Sequence, residues 1–249
     1  MLRAFTKDHP IRLDDLKHGG LILIDKPLHW TSFDVVNKLR YAIRRVLGQK
    51  KYKIGHTGTL DPLASGLLIV CFGSYTKKIE QLSSDDKSYE GTIVLGRETP
   101  SYDAETQPNC YYPKRAFTPQ EIDRTRTSFE GDILQIPPMY SAVKSKGVAL
   151  YKLARKGKVV ERPPRPVTIH RFLLTLDRPN ILSFDISCSK GTYIRTIAHD
   201  FGKKLSYGSY LGSLRRTSVG EYSVEDAWTL DLLVDQINQL EVCEKSNMN

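Results

Sequence analysis

Two runs of strand length, RPVTIHRFLLTLD (165–177) and ILSFDISCSK (181–190), are separated only by the turn around Asp177–Asn180. A connection that short joins antiparallel neighbours, because parallel strands need a crossover of a dozen or more residues. The pair therefore reads as a hairpin, and a fold other than a regular βαβ alternation is expected. GLILID (20–25), GLLIVCF (66–72) and KSYEGTIVLG (87–96) also have strand length, the last with Tyr89, Ile93 and Leu95 on one face. Helical spacing recurs between them without regular alternation. Val36, Leu39, Ile43 and Leu47 follow a cap at Thr31 or Ser32, and TYIRTIAHDFGKKL (192–205) aligns Ile194, Ile197, Ala198, Phe201 and Leu205. Shorter helices are expected over TKKIEQLSS (76–84), Pro119–Phe129 and LYKLARKG (150–157), and a further one over LDLLVDQINQL near the end. RETPSYDAETQPNCYYPKR reads as a long loop, and QIPPMYSAVK as an extended, proline-stiffened piece. This mixture predicts an α+β fold with a mixed, largely antiparallel central sheet flanked by helices.

At 249 residues, one domain with a basic insertion is the simplest organisation. Residues 1–18 read as a polar, loosely held leader, 19–230 as the main folded domain, and 231–249 as a C-terminal helix whose EKSNMN end frays. Lys and Arg number 37 against 28 Asp and Glu, a net charge of +9. Most of that excess sits in one place: Lys144–Arg171 holds nine cations and one acid, Glu161. Such a concentration favours phosphate contact over a merely solvated face. Cysteines at 71, 110, 188 and 243 are widely spaced, which fits neither a zinc site nor a disulfide framework and agrees with a reducing cytoplasm. No apolar stretch approaches the ~18 residues of a membrane span, and the N-terminus lacks a signal peptide's apolar core.

Chemistry concentrates in IGHTGTLDPLASGLL (54–68). Its glycines resemble a phosphate cradle, but the Gly-Lys-Ser/Thr ending of a P-loop is missing. Asp61-Pro62 is open to two readings. It is an ordinary helix cap followed by the first helical residue, or a carboxylate held in one pose because proline restricts the residue before it. Arg195 lies in the first turn of a helix, where the dipole disfavours a cation unless an anion is close. Tyr193 is a core tyrosine or a pocket residue, and His56 a loop histidine satisfied by a carbonyl or something more specific.

Taken together, IGHTGTLDPLASGLL, KSYEGTIVLG, IPPMYSAVK, CSKGTYIRTIAHDFGKKL and LGSLRRTSVGEYS, preceded by GLILIDKP and TSFDVV, resemble the TruB family over residues 19 to 230. That family comprises pseudouridine synthases acting on the T-arm uridine of tRNA. The resemblance implies the pseudouridine synthase fold, base flipping, no cofactor, and a monomer whose partner is the tRNA T-arm stem-loop rather than a protein or membrane. A secondary role in tRNA folding is also implied. Asp61 matches the catalytic aspartate of the family. Tyr89 matches the tyrosine that stacks on the extruded base and is suspected of handling the C5 proton. Arg195 matches the arginine that pairs with the catalytic carboxylate. His56 matches the histidine that fills the room left in the RNA, and Tyr193 and Leu214 match further substrate-binding residues. Lys26 and Pro27 match the first motif, as supports of the pocket. Residues of about 135–165 correspond to a basic thumb insertion that grips RNA.

Three departures from the family pattern stand out. DKPLHWTS places His29 where glycine is common, so that loop is expected to bend differently. TPSYD replaces the usual Thr-Asp-Thr with Pro100 and Ser101, leaving Asp103 recognisable. With Asn249 as the last residue, a full PUA module, common after this region in bacterial members, is not expected. Guide-RNA-dependent relatives share the Asp loop, but HTGTLDPLASG and the intact basic insertion favour the stand-alone type. A purely RNA-binding protein would have no need of Asp61, Tyr89 and Arg195 together.

Overall fold

The computed structural model describes residues 4–246, with side chains to residue 240. Residues 247–249 of the EKSNMN end fall outside the described residues. In chain order the elements begin with β1 (Ala4–Phe5), α1 (Leu13–His18), β2 (Gly19–Lys26), α2 (Ser32–Leu47), β3 (Ile54–Thr57) and β4 (Ala64–Gly73). Next come α3 (Ile79–Ser83), β5 (Lys87–Leu95), β6 (Arg97–Glu98), β7 (Cys110–Tyr111), α4 (Pro119–Thr127) and β8 (Gly131–Gln135). The basic segment contains β9 (Lys144–Ser145), β10 (Val148–Ala149) and α5 (Leu150–Ala154). The chain closes with β11 (Arg165–Arg178), β12 (Ile181–Cys188), α6 (Ile194–Lys204), β13 (Ser209–Val219), β14 (Tyr222–Ser223), β15 (Trp228–Thr229) and α7 (Leu230–Ser246). Two compact units result, Met1–Lys87 with Arg215–Asn249, and Ser88–Leu214.

In the first unit β2 runs antiparallel to β4, from Gly19 opposite Gly73 to Lys26 opposite Gly66. β1 and β15 join β2 in parallel, while β3 pairs antiparallel with β4, so the sheet is mixed and mostly antiparallel as expected. The continuous apolar runs have a simple cause. Ile22, Ile24, Leu68, Val70 and Phe72 face a core closed by Val36, Leu39 and Ile43 of α2 and by Leu233 and Ile237 of α7. Leu21, Leu23, Leu67, Ile69 and Cys71 face a second core with Leu82, Val219 and Tyr222. A strand covered on both faces has no polar alternation to display. α2 starts with a capping box between Thr31 and Asp34 and stops at Gly48, whose φ of 62° only glycine adopts easily. The leader is held rather than loose: Phe5, Ile11 and Leu16 are buried in the first core, each contributing about 1.5–3 kcal/mol.

In the second unit β11 and β12 form the expected antiparallel hairpin, and β8 adds antiparallel to β11. Phe129, Phe172, Phe184 and Phe201 pack edge-on and stacked at centroid separations of 6.0–6.5 Å, fixing α6 against the strands. The 97–111 loop is closed at its base by the β6–β7 ribbon. Between β8 and β11 the chain makes the β9–β10 ribbon and α5, then runs without regular structure to Arg165.

Candidate active site

Asp61 caps no helix. It lies in the connection between β3 and β4, where its carbonyl accepts from the Ala64 amide at 3.1 Å and β4 starts directly. The segment around it is fastened at alternate residues. Arg216, 1% exposed, donates from one terminal nitrogen to the Gly58 carbonyl at 3.0 Å and from Nε to the Leu67 carbonyl at 2.7 Å. Ser32, the first residue of α2, takes the Leu60 amide on Oγ at 2.9 Å and returns its proton to the Leu60 carbonyl at 3.1 Å. The His29 amide donates to the Pro62 carbonyl at 2.7 Å. Residues 58, 60 and 62 are thus held through their backbones, and Asp61, between the last two, is left half-buried with its carboxylate as the loop's only acidic group.

His29 makes that bond from φ 65°, the left-handed region that favours glycine. The first-motif loop therefore has, at His29, a backbone that a glycine would take readily. Behind it Lys26 is fully buried and donates to the carbonyls of Pro27 at 2.8 Å and Trp30 at 2.7 Å. Burial pulls its ammonium down to about 8, opposed first by the negative charge of Asp61 and reinforced by Arg216. Lys26 is thus a support for the 27–30 loop. Arg215, beside Arg216, forms a two-bond pair with Asp25 at 3.0 and 2.8 Å.

His56 sits on β3 opposite Val70 rather than in a loop. Its Nδ1 is buried with no hydrogen-bond partner, and burial, then Arg216, hold its pKa below the ordinary value. The shift is away from the charged form, so the ring is predominantly neutral at pH 7.

In the second unit Tyr89 is 7% exposed on β5, on the face shared with Ile93 and Leu95. Arg195 is the second residue of α6 and 5% exposed. The anion that its first-turn position demands is present: Asp103 Oδ2 lies 3.7 Å from its Nε, and the Ser101 carbonyl accepts at 3.4 Å. Asp103 is itself buried, and its loop is tied down by Thr99 Oγ1 donating to the Asp103 carbonyl at 2.7 Å. Tyr102, at φ 66°, stacks on His199 with centroids 3.8 Å apart. Tyr193 precedes α6 and is held by the side-chain amide of Gln135, which accepts from its N–H at 2.7 Å and donates to its carbonyl at 3.1 Å. Leu214 is half-buried on β13. Most cations of the basic segment are exposed, Lys144, Lys146, Lys152, Lys156, Lys158 and Arg165 among them. Arg155 and Arg171 pair with Glu105 and Asp185. Among the described residues, no three His, Cys, Asp or Glu side chains could hold a metal ion, and no helix is long and apolar enough to cross a membrane.

Residues 44–194 match the family model described as TruB family pseudouridylate synthase (N terminal domain). The chain belongs to the TruB family. Residues 195–247 of this TruB-family chain match the model of the tRNA pseudouridylate synthase B C-terminal domain. The tRNA pseudouridine synthase B of Flavobacterium johnsoniae is 46% identical over 225 residues, covering 90% of this chain and 98% of that one. The protein of the same name from Phocaeicola vulgatus is 44% identical over 94% of this chain and 99% of its own length. A chain in the crystal structure of a Cbf5-Nop10-Gar1 complex aligns with TM-score 0.66 at 27% identity, over 93% of this chain. The TruB-family chain spans 58% of that longer protein. The pseudouridine synthase fold and the assignment as a pseudouridine synthase, an isomerase, follow from this membership.

Sequence reasoning overlooked Ser32 and Arg216, which hold the backbone on either side of Asp61, and Gln135, which holds that of Tyr193. Only for Ser32 was there a signal, its place beside Thr31 at the start of α2. Arg216 stands in LGSLRRT, where nothing local separates a buried arginine from its neighbour.

Proposed function

We propose that this enzyme isomerises the T-arm uridine of tRNA, position 55, to pseudouridine, with Asp61 as nucleophile acting on a flipped nucleotide. The observation that carries the reading is the fastening of Gly58, Leu60 and Pro62, which fixes the backbone on both sides of Asp61, the loop's single carboxylate. Such positioning is what a reaction limited by the approach of one nucleophile requires. The tRNA substrate is supported by relatives named tRNA pseudouridine synthase B at 44–46% identity over nearly their whole length. The stand-alone type is favoured over the guide-dependent one by the lower identity, 27%, to the Cbf5 complex chain.

The reaction breaks the C1′–N1 bond, turns the uracil, joins C1′ to C5, and exchanges the C5 proton for one on N1, with no net oxidation. Asp61 promotes it by forming a covalent adduct or by assisting detachment of the uracil. Extrusion from the stack costs about a few kcal/mol, part of which an aromatic platform returns. Tyr89 is assigned that platform and Arg195 the pairing with the reacting carboxylate, both by family resemblance. His56, Tyr193 and Leu214 are assigned to substrate binding on the same ground. A neutral, half-buried His56 suits insertion among bases better than a charged ring would. The exposed cations of the basic segment supply phosphate contacts that position RNA without reading its sequence.

Transfer RNA labelled with tritium at uridine C5 tests the substrate assignment. One equivalent of label should be released per molecule of tRNA and from an isolated T-arm hairpin. No label should be released when the T-arm uridine at position 55 is replaced by cytidine. Undiminished release after that replacement would move the target elsewhere.

A further inference from the structure

A second basic feature lies in the first unit, outside the thumb. Residues 38–53 contain seven cations (Lys38, Arg40, Arg44, Arg45, Lys50, Lys51 and Lys53) and no acid. Part of this charge is absorbed locally: Lys38 pairs with Asp231 at 2.6 Å, and Arg40 donates to the Ile54 carbonyl at 3.2 Å. Arg44 donates to the Gln49 carbonyl, also at 3.2 Å. Lys50, Lys51 and Lys53 remain exposed at the turn between α2 and β3.

This turn is built, not slack. Gly48 closes α2 with its amide on the Arg44 and Arg45 carbonyls, and the Gln49 amide returns to the Arg44 carbonyl at 3.0 Å. Tyr52 points inward between Lys51 and Lys53, donating its hydroxyl to the Leu16 carbonyl at 2.6 Å and stacking on Phe72 at 6.3 Å. The Lys53 carbonyl accepts from the Gly73 amide at 2.9 Å. The ammonium groups therefore project from an ordered backbone, and Tyr41, 70% exposed, stands on the outer face of α2. A solvated charge run needs none of this anchoring.

We propose that Lys50, Lys51 and Lys53 form a second phosphate-binding site, occupied by the backbone of a helical segment of the substrate RNA. The proposal rests on the tRNA reading above. The turn enters β3 at its first residue, while the Asp61 loop leaves β3 at its last. From Lys53 to Thr57 an extended chain covers about 13 Å at ~3.3 Å per residue. A nucleic-acid duplex carries one charge per ~1.7 Å of axis, so a stem running back along β3 from a nucleotide at Asp61 passes several phosphates over this turn.

The test is the combined variant Lys50→Ala, Lys51→Ala, Lys53→Ala in the full chain, titrated with tRNA from low to moderate salt. All three side chains are exposed, and Tyr52 and Gly48, which hold the turn, are untouched. At ~0.7–0.9 per lost contact, the slope of log K against log salt should fall in magnitude by about 2–3, and affinity near 0.1 M salt should weaken by about 10- to 100-fold. The single-turnover rate at saturating RNA should stay within about twofold. A control triple of exposed lysines, Lys7, Lys114 and Lys203 changed to Ala, should alter the slope by less than about 0.5. An unchanged slope in the first variant, or an equal drop in the control, overturns the proposal. So does loss of binding to phosphatidylserine vesicles with tRNA binding intact, which would assign the turn to a membrane surface. Wild-type protein that releases no C5 label, with the triple variant still lowering the tRNA salt slope by about 2–3, would instead remove the functional reading and leave this site standing.

Discussion

Replacing Ser32 by alanine removes one hydroxyl and two hydrogen bonds, both to Leu60. Ser32 is 1% exposed and Leu60 3%, so the freed amide and carbonyl of Leu60 have poor access to water. An unsatisfied buried backbone group costs about 1–3 kcal/mol, so at about 1–2 kcal/mol for each of the two the pair is worth about 2–4 kcal/mol in the fastened state. Thr31, not Ser32, is the helix cap, and its capping box with Asp34 is left intact, so α2 should persist. The loss then falls on the loop that carries Asp61. If the fastened pose is the reactive one, turnover at saturating RNA should drop by about 30-fold to several hundred-fold, at 1.36 kcal/mol per factor of ten. Urea denaturation followed by circular dichroism measures the stability change, and single-turnover tritium release measures the rate. A variant that loses stability yet turns over within twofold of wild type would refute the link between loop fastening and reaction.

Three other outcomes follow from the same geometry. His199, 6% exposed, is held by burial at about 4 against an ordinary 6.5, so below pH 6.5 the unfolded chain binds a proton that the folded one refuses. Stability should therefore fall by about 2 kcal/mol between pH 7 and pH 5, and His199→Gln should flatten that part of the urea-midpoint profile. Gly66→Ala should give little folded protein, because its Cβ would lie 2.2 Å from the Arg216 carbonyl oxygen at a φ of 99°; expression and thermal melting check this. Arg195→Met should lower single-turnover rate far more than tRNA affinity, and the reverse pattern would place Arg195 on a phosphate.

Much of the scaffold was legible because its causes are local. The hairpin of β11 and β12 follows from a turn of a few residues, and α6 from its apolar stripe. The runs GLILID and GLLIVCF read as buried strands because both faces are covered. Residues 1–18 misled because average polarity hides three anchors, Phe5, Ile11 and Leu16, that find partners far along the chain. Asp61-Pro62 could not be resolved locally, since a helix cap and a turn into a strand begin with the same dipeptide. What separates them is support from Ser32, His29 and Arg216, the last more than 150 residues away in sequence. The contact of Arg195 with Asp103 had the same character: the need for an anion could be deduced from the arginine's place in the helix, but Asp103 could be identified as one only after folding. The roles given to Tyr89, Tyr193 and Leu214 came from the pattern of motifs, because spacing alone left each as a plausible core residue.

The central claim is that the Asp61 carboxylate is the reacting group. Asp61→Asn keeps the shape of the side chain and removes its charge, and can be compared with wild type in single-turnover tritium release from tRNA, with affinity measured in parallel. The account predicts no detectable release at any enzyme concentration, with tRNA affinity within about threefold of wild type. Release at the wild-type rate would contradict it.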